Sequence, residues 1–271
     1  MTYRVGFIGT GNMGGAMLKS IASGDAGKQF ELYGYDVNRT LLSNMSSEIG
    51  FETCENAGQL VSCCDIIVLA VKPQYAQPVL EEIKGFFTED KLLVTIIVGL
   101  PISFYKKILG DNVRIVRTMP NTPAMVGAGM TLMCCDQKVT DEGKNIVKRL
   151  LGFSGLVEEL EERLMNEVTA LTGSSPAYIF VLIEAMADAA VLSGIPRSLA
   201  YKLASQAVMG SAKMVLETGK HPGELKDMVC SPAGTTIEAI AALEQTGFRN
   251  AIITAMTKCT EKAREIGKKF S

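Results

Sequence analysis

The stretch that most constrains this chain lies at its start. Val5-Gly6-Phe7-Ile8 is a short apolar run that reads as a buried strand. It ends in Gly9-x-Gly11-x-x-Gly14 and passes directly into a helix-like run reaching Ile21. In such a turn the first glycine permits the tight bend, the second lets backbone approach a pyrophosphate, and the third lets helix and strand pack closely. The helix N-terminus then presents N–H groups and a partial positive charge to phosphates. Glycine-rich turns are common, but the strand before and the helix after mark this one as a dinucleotide site.

The following segments repeat the strand–helix alternation. Phe30–Tyr35, Asp65–Val71, Leu92–Val98, Val113–Met119 and Met130–Cys135 read as strands, and Asp141–Phe153 as a helix. The continuous apolar run from Asp65 to Val71 suits a parallel strand covered on both faces. Strands alternating with helices predict a doubly wound sheet over residues 1–160. At the end of the second strand the signals conflict. Asp36 falls 22 residues after Gly14, where an acid would hold a ribose hydroxyl and favour NADH. Asn38, Arg39 and Thr40 offer a cation and donors suited to the 2′-phosphate of NADPH, and Asn38 or Thr40 could equally cap the next helix. The chemistry leans to NADPH, with NADH possible. Asn56 is a helix cap or an adenosine contact, and Lys72-Pro73 ends a strand at the edge where ligands collect.

From Glu161 onward no strand pattern remains, and residues 161–271 read as an all-α domain. Ser175 is expected to cap, and Pro176 to open, a long apolar helix. Its hydrophobicity is not confined to one stripe, so part of its cover must come from a second chain. Glu184 and Asp188 make it a poor membrane span. The net charge of −2 gives no electrostatic footprint for nucleic acid or an anionic membrane. Seven cysteines without a C-x-x-C pair and a single histidine, His221, suit small core thiols in a reducing cytoplasm. No secretory leader and no metal site are expected. A second informative stretch is Cys230-Ser231-Pro232-Ala233-Gly234-Thr235-Thr236-Ile237-Glu238. Thr235 and Glu238 match a capping box. The free N–H groups of Gly234, Thr235 and Thr236 could also form a nest for a small carboxylate.

These segments together resemble the pyrroline-5-carboxylate reductases over essentially the whole length. The resemblance rests on Gly6–Met13, Ala70-Val71-Lys72-Pro73, Met119-Pro120-Asn121-Thr122-Pro123, Gly173–Tyr178 and Lys226–Ile237. The family's Ser-Pro-Gly-Gly-Thr-Thr appears here as Ser-Pro-Ala-Gly-Thr-Thr, with Ala233 as the departure. The resemblance implies an N-terminal Rossmann domain and a helical dimerisation domain, in homodimers that often associate further. It implies reduction of (S)-1-pyrroline-5-carboxylate to L-proline with NADPH or NADH. By the same resemblance Ile8, Gly9, Gly11, Asn12 and Met13 would touch the pyrophosphate and Asn38 and Arg39 the adenosine end. Asn56, Ala70, Lys72 and Pro73 would line the cofactor cleft. Ser231, Gly234, Thr235 and Thr236 would hold the substrate carboxylate, with the Thr236 hydroxyl facing the ring nitrogen. Glu162 matches a substrate position, yet Glu161-Glu162 could equally be a solvated helix start. The alternatives are another Rossmann imine or 3-hydroxyacid reductase, or a dinucleotide sensor without turnover. The apolar helix from Pro176 to Leu192 lacks the lysine that hydroxyacid dehydrogenases place there.

Overall fold

The computed structural model describes residues 2–24 and 29–268. Met1, where the absence of a leader was read, and residues 269–271 of the helical region lie outside them. The chain divides into two compact units, 1–173 with 260–271, and 174–259.

The first unit holds β1 (Tyr3–Ile8), α1 (Asn12–Ser23), β2 (Phe30–Tyr35), α2 (Arg39–Ile49), β3 (Glu52–Thr53), α3 (Ala57–Cys63), β4 (Ile66–Leu69), α4 (Pro73–Ile83), β5 (Leu92–Thr95), α5 (Ile102–Leu109), β6 (Arg114–Met119), β7 (Gly129–Cys135), α6 (Asp141–Gly152) and β8 (Gly155–Glu159). The strands form one sheet in the order β3-β2-β1-β4-β5-β6-β7-β8. Every neighbouring pair is parallel except β6 and β7. Strand order reverses between β1 and β4, which opens a crevice at the carboxyl ends of these strands.

Burial on both faces explains why the central strands are continuously apolar. Ile67, Leu69 and Leu93 pack with Leu60, Leu80 and Tyr105 on one face. Ile66, Val68, Leu92 and Val94 pack with Met17, Leu18 and Val147 on the other. Their alternation follows the two-residue period of a strand. The apolar runs continue past the ladder, so the strands expected to reach Val71 and Val98 end at Leu69 and Thr95. Neither β3 nor β8 was expected. The first is two residues long, and the second carries only partly buried or exposed positions, so neither has an apolar signature.

The second unit is helical: α7 (Ser175–Leu192), α8 (Arg197–Thr218), α9 (Pro222–Val229), α10 (Thr235–Gln245) and residues 248–259 of α11 (Phe248–Lys268). The cap of α7 is Ser174 rather than the expected Ser175, and its side chain makes no capping bond. Pro176 occupies the first turn, where its missing N–H costs nothing. Within this chain α7 fully buries only Ala187, while Phe180, Val181 and Leu192 are at least 60% exposed. By length and composition the segment Thr169–Leu192 could cross a membrane, although Asp188 pairs with Arg197 on its polar side.

One buried polar chain shapes the β5 exit. The Tyr105 phenol and the Thr95 hydroxyl share a hydrogen bond of 2.7 Å, and Thr95 Oγ1 also accepts from the Ile97 N–H at 3.3 Å. Burial pushes the Tyr105 phenol well above its ordinary range. The exchange Tyr105→Phe leaves the buried Thr95 hydroxyl without this partner, so it should cost about 1–2 kcal/mol. A urea-unfolding midpoint lowered at unchanged slope would show it; an unchanged midpoint would refute it.

Candidate active site

The glycine turn is built as its spacing requires. Gly9 adopts φ +97°, and a Cβ there would lie 2.7 Å from the Ala70 carbonyl oxygen. A Cβ on Gly14 would lie 2.3 Å from the Gly9 carbonyl oxygen, whereas one on Gly11 would meet nothing within 4 Å. The open side of the turn is therefore at Gly11, the N-cap of α1, whose cap carries no side-chain bond. Amides of Asn12, Met13 and Gly14 lie in the first turn, where no intrahelical acceptor exists. An anion of pyrophosphate size suits these donors; a side chain at Gly9 or Gly14 would disrupt the turn itself, whereas one at Gly11 would stand on the open side where the anion approaches. Ile8 closes β1 beneath the turn, and its carbonyl accepts from the Ala70 N–H at 2.8 Å.

Asn38, Arg39 and Asn56 lie along the same carboxyl edge, at the exits of β2 and β3. Asn38 caps α2 by accepting from the Leu41 N–H at 3.0 Å, and Asn56 caps α3 by accepting from the Gln59 N–H at 2.8 Å. Arg39 donates to the carbonyls of Cys54, at 3.1 Å, and Glu55, and its guanidinium lies 4.9 Å from the centre of the Tyr35 ring. The Asp36 carboxylate is turned onto backbone: it accepts from the Thr10 and Asn38 N–H groups at 2.7 and 2.9 Å. At the exit of β4, Lys72 is the N-cap of α4 and Pro73 opens it. The structure thus brings all eleven expected cofactor residues to the exits of adjoining strands in the first unit.

The expected substrate residues divide between units. In the second, Gly234 rather than Thr235 is the N-cap of α10, with no side-chain capping bond, so the expected capping box does not form. Thr235 and Thr236 become the first helical residues, with unpaired amides by position. The turn before them is closed by the Gly234 N–H donating to the Ser231 carbonyl at 3.1 Å. Among the described residues Ala233 is the one non-glycine at positive φ, at +58°. His221, the single histidine, caps α9 by accepting from the Gly223 N–H at Nδ1, 3.0 Å away.

Glu162 lies in the first unit. Its Oε1 accepts from the Ile102 N–H at 2.7 Å and from Arg117 at 3.1 Å. Arg117 is 5% exposed and also donates to Asn166 at 3.3 Å. The sequence reading missed this buried cation; its partners are 45 and 49 residues away, beyond any local pattern. It also left Asn121 without a role. That side chain donates to the Thr172 carbonyl and accepts from the Met130 N–H, at 3.0 and 2.9 Å. All seven cysteines are free. Burial pushes the thiols of Cys54 and Cys134 up to about 12 and that of Cys135 to about 11, which suits packing rather than nucleophilic chemistry.

Comparison with known proteins bears on both units. The description "Pyrroline-5-carboxylate reductase dimerisation" matches residues 162–266, and "NADP oxidoreductase coenzyme F420-dependent" matches residues 4–99. The pyrroline-5-carboxylate reductase of Escherichia coli K12 is 46% identical over 268 residues, 99% of this chain and 100% of that one. The chain belongs to the pyrroline-5-carboxylate reductase family. A solved pyrroline-5-carboxylate reductase from Coxiella burnetii aligns with a TM-score of 0.92 at 33% identity, covering 98% of this chain and 99% of that one. The Plasmodium falciparum pyrroline carboxylate reductase, solved with NADP bound, aligns at 0.84 and 32% identity, covering 98% of both chains.

Within this reductase, Ala233 bears on the departure noted in the signature loop. The backbone keeps the left-handed conformation that a glycine would adopt freely, and the alanine bears a strain of roughly 1–2 kcal/mol. An ordinary Ala→Gly exchange loses about 0.5–1 kcal/mol through unfolded-state entropy. Ala233→Gly should therefore leave stability unchanged or slightly raised. A thermal melt lowered by several degrees would contradict the left-handed assignment.

Proposed function

We infer that this chain works as its family does: it reduces the cyclic imine (S)-1-pyrroline-5-carboxylate to L-proline, the last step of proline synthesis, with NADPH as reductant. The observation that carries this is 46% identity to a pyrroline-5-carboxylate reductase over 99% of the chain, joined to an intact phosphate turn and an uncapped α10 N-terminus. NADPH supplies the hydride when bound. Ile8, Gly9, Gly11, Asn12 and Met13 hold its pyrophosphate, Asn38 and Arg39 its adenosine end, and Asn56, Ala70, Lys72 and Pro73 the rest of the cleft. NADH is the alternative donor, to be compared by rate.

On the substrate side, the first-turn amides of α10 and the Ser231 hydroxyl anchor the carboxylate. This placement suits an anion because amide dipoles and the helix field point at it. The Thr236 hydroxyl hydrogen-bonds the ring nitrogen and keeps a proton there, so that the imine carbon stays electrophilic. Gly234 gives the substrate close access to the backbone, and Glu162 adds a carboxylate through its free oxygen. Little acid–base machinery is needed: orientation alone can supply about 7–11 kcal/mol in favourable cases. That economy agrees with a chain whose one histidine is spent on capping α9.

By function the chain divides into a dinucleotide domain at 1–160 and a helical dimerisation domain at 161–271, although residues 161–173 and 260–271 belong to the compact unit that holds the sheet. It forms a homodimer through the helical domain, and dimers associate further. The exposed apolar faces of α7 and α8 support cover by a second copy rather than by a bilayer or a nucleic acid. Work in the cytoplasm agrees with seven unpaired thiols.

Mixing the purified protein with pyrroline-5-carboxylate and each reduced dinucleotide, and following nicotinamide oxidation, tests the reaction. A sensor would bind NADPH without consuming it. Thr236→Ala should lower kcat about 100-fold, as loss of one well-placed donor does, with the KM for NADPH nearly unchanged. Unchanged kcat would remove Thr236 from the chemistry.

A further inference from the structure

We propose that Asp36 is a positioning residue that holds the phosphate turn, not an acceptor for the adenosine ribose. This rests on reading Gly9–Gly14 as the dinucleotide site. Its place after β2 is where an acid would select NADH, but its carboxylate is committed elsewhere. Oδ2 accepts from the Thr10 N–H at 2.7 Å and from the Thr10 hydroxyl at 3.2 Å. Oδ1 accepts from the Asn38 N–H at 2.9 Å. A carboxylate offers about four acceptor positions, so a ribose diol that needs both oxygens meets a group already occupied at each.

The donors explain what this achieves. Thr10 is fully buried and stands between Gly9 and Gly11, outside α1, so helix formation gives its amide no partner. The preceding amide, Gly9 N–H, donates to the Tyr35 carbonyl at 2.8 Å. The exits of β1 and β2 are thus joined by two consecutive amides, and the second ends on the Asp36 carboxylate. Without that acceptor the buried amide must turn toward another one, carrying Gly9, Gly11 and the first-turn donors of α1 with it. Arg39 is the cation left for the adenosine end. Two of its contacts fix it to the Cys54 and Glu55 carbonyls, and a guanidinium has five N–H donors in all.

The clamp acts on the part of the cofactor that NADPH and NADH share. Asp36→Asn keeps the shape but removes the charge that strengthens these hydrogen bonds; Asp36→Ala removes the acceptor. With full-length protein, each should raise the KM for NADPH and for NADH together, by about tenfold for the alanine variant. The ratio of the two KM values, the KM for pyrroline-5-carboxylate and kcat at saturating dinucleotide should each move less than about twofold. Calorimetric titration with NADP+ and NAD+ should show the same parallel weakening. If the alanine variant does not fold, the asparagine variant alone carries the comparison. Selective loss of NADH use would make Asp36 a ribose acceptor after all. Selective improvement with NADPH would make it a free charge opposing the 2′-phosphate. Unchanged KM for both, or a fall in kcat as large as the rise in KM, would also overturn the clamp. A wild-type protein that neither binds nor oxidises either dinucleotide would instead overturn the underlying assignment of the site.

Discussion

The end of β1, the first turn of α1 and the end of β4 approach so closely that no side chain fits between them. A Cβ on Gly14 would overlap the Gly9 carbonyl oxygen, and one on Gly9 would press on the Ala70 carbonyl. This contact fixes where α1 begins, and therefore where its unpaired amides point. The same contact sets the sheet around it. The Ile8 carbonyl accepts from Ala70 across β4, and the Gly9 amide donates to Tyr35 across β2. Three strand exits are thereby joined on one edge, at the reversal in strand order. The backbone itself thus forms a turn suited to a pyrophosphate, before any side chain is considered.

The helical unit obeys a different constraint. An 18-residue helix with one fully buried residue leaves apolar surface in water at roughly 25 cal/mol per Å². A lone chain gains little from such a helix. One of the acidic positions that interrupt it, Asp188, is answered locally by Arg197. The neighbouring α8 likewise exposes large apolar residues, among them Leu203, Met209 and Leu216. Small buried residues, Ala187, Ala200 and Ala204, let backbone approach backbone inside the unit and leave the large residues outside. This is how a protomer looks when its core is completed by association, and the dimerisation description covers the same residues.

How far the sequence revealed this depended on the range of each interaction. Apolar runs marked β1, β2 and β4 to β7, because burial on both faces needs them. The strands β3 and β8 extend the sheet through backbone ladders with few buried apolar side chains, and left no trace. Caps at Asn38 and Asn56 were legible as residue types, but their duty as caps or ligands was not. Ser175 and Thr235 were each placed one residue late as caps, since local spacing does not reveal which residue first turns helical. Asp36 was visible as an acid at a known distance from Gly14; its partners were not, because Thr10 reaches it only through the β1–β2 pairing. Ala233 shows the opposite case. Its chemistry argued against a left-handed backbone, and the fold imposes one.

Arg117 shows how such long-range pairing bears on the chemistry. A guanidinium this buried needs a counter-charge, and Glu162 supplies it with Oε1, which at the same time caps the N-terminus of α5 through the Ile102 amide. Asn166 completes the cluster. The second carboxylate oxygen is free of both duties, and the side chain is 38% exposed. A role in holding substrate thus falls to Oε2 alone, and pairing with Arg117 makes it a hydrogen-bond acceptor with little net charge to offer. Deleting Glu162 strips Arg117 before it touches any substrate. With Asn166 still in place but its counter-charge gone, Arg117 costs about 1–3 kcal/mol, so the loss of activity in such a variant reports first on the junction of β6, α5 and the segment leading to the helical unit.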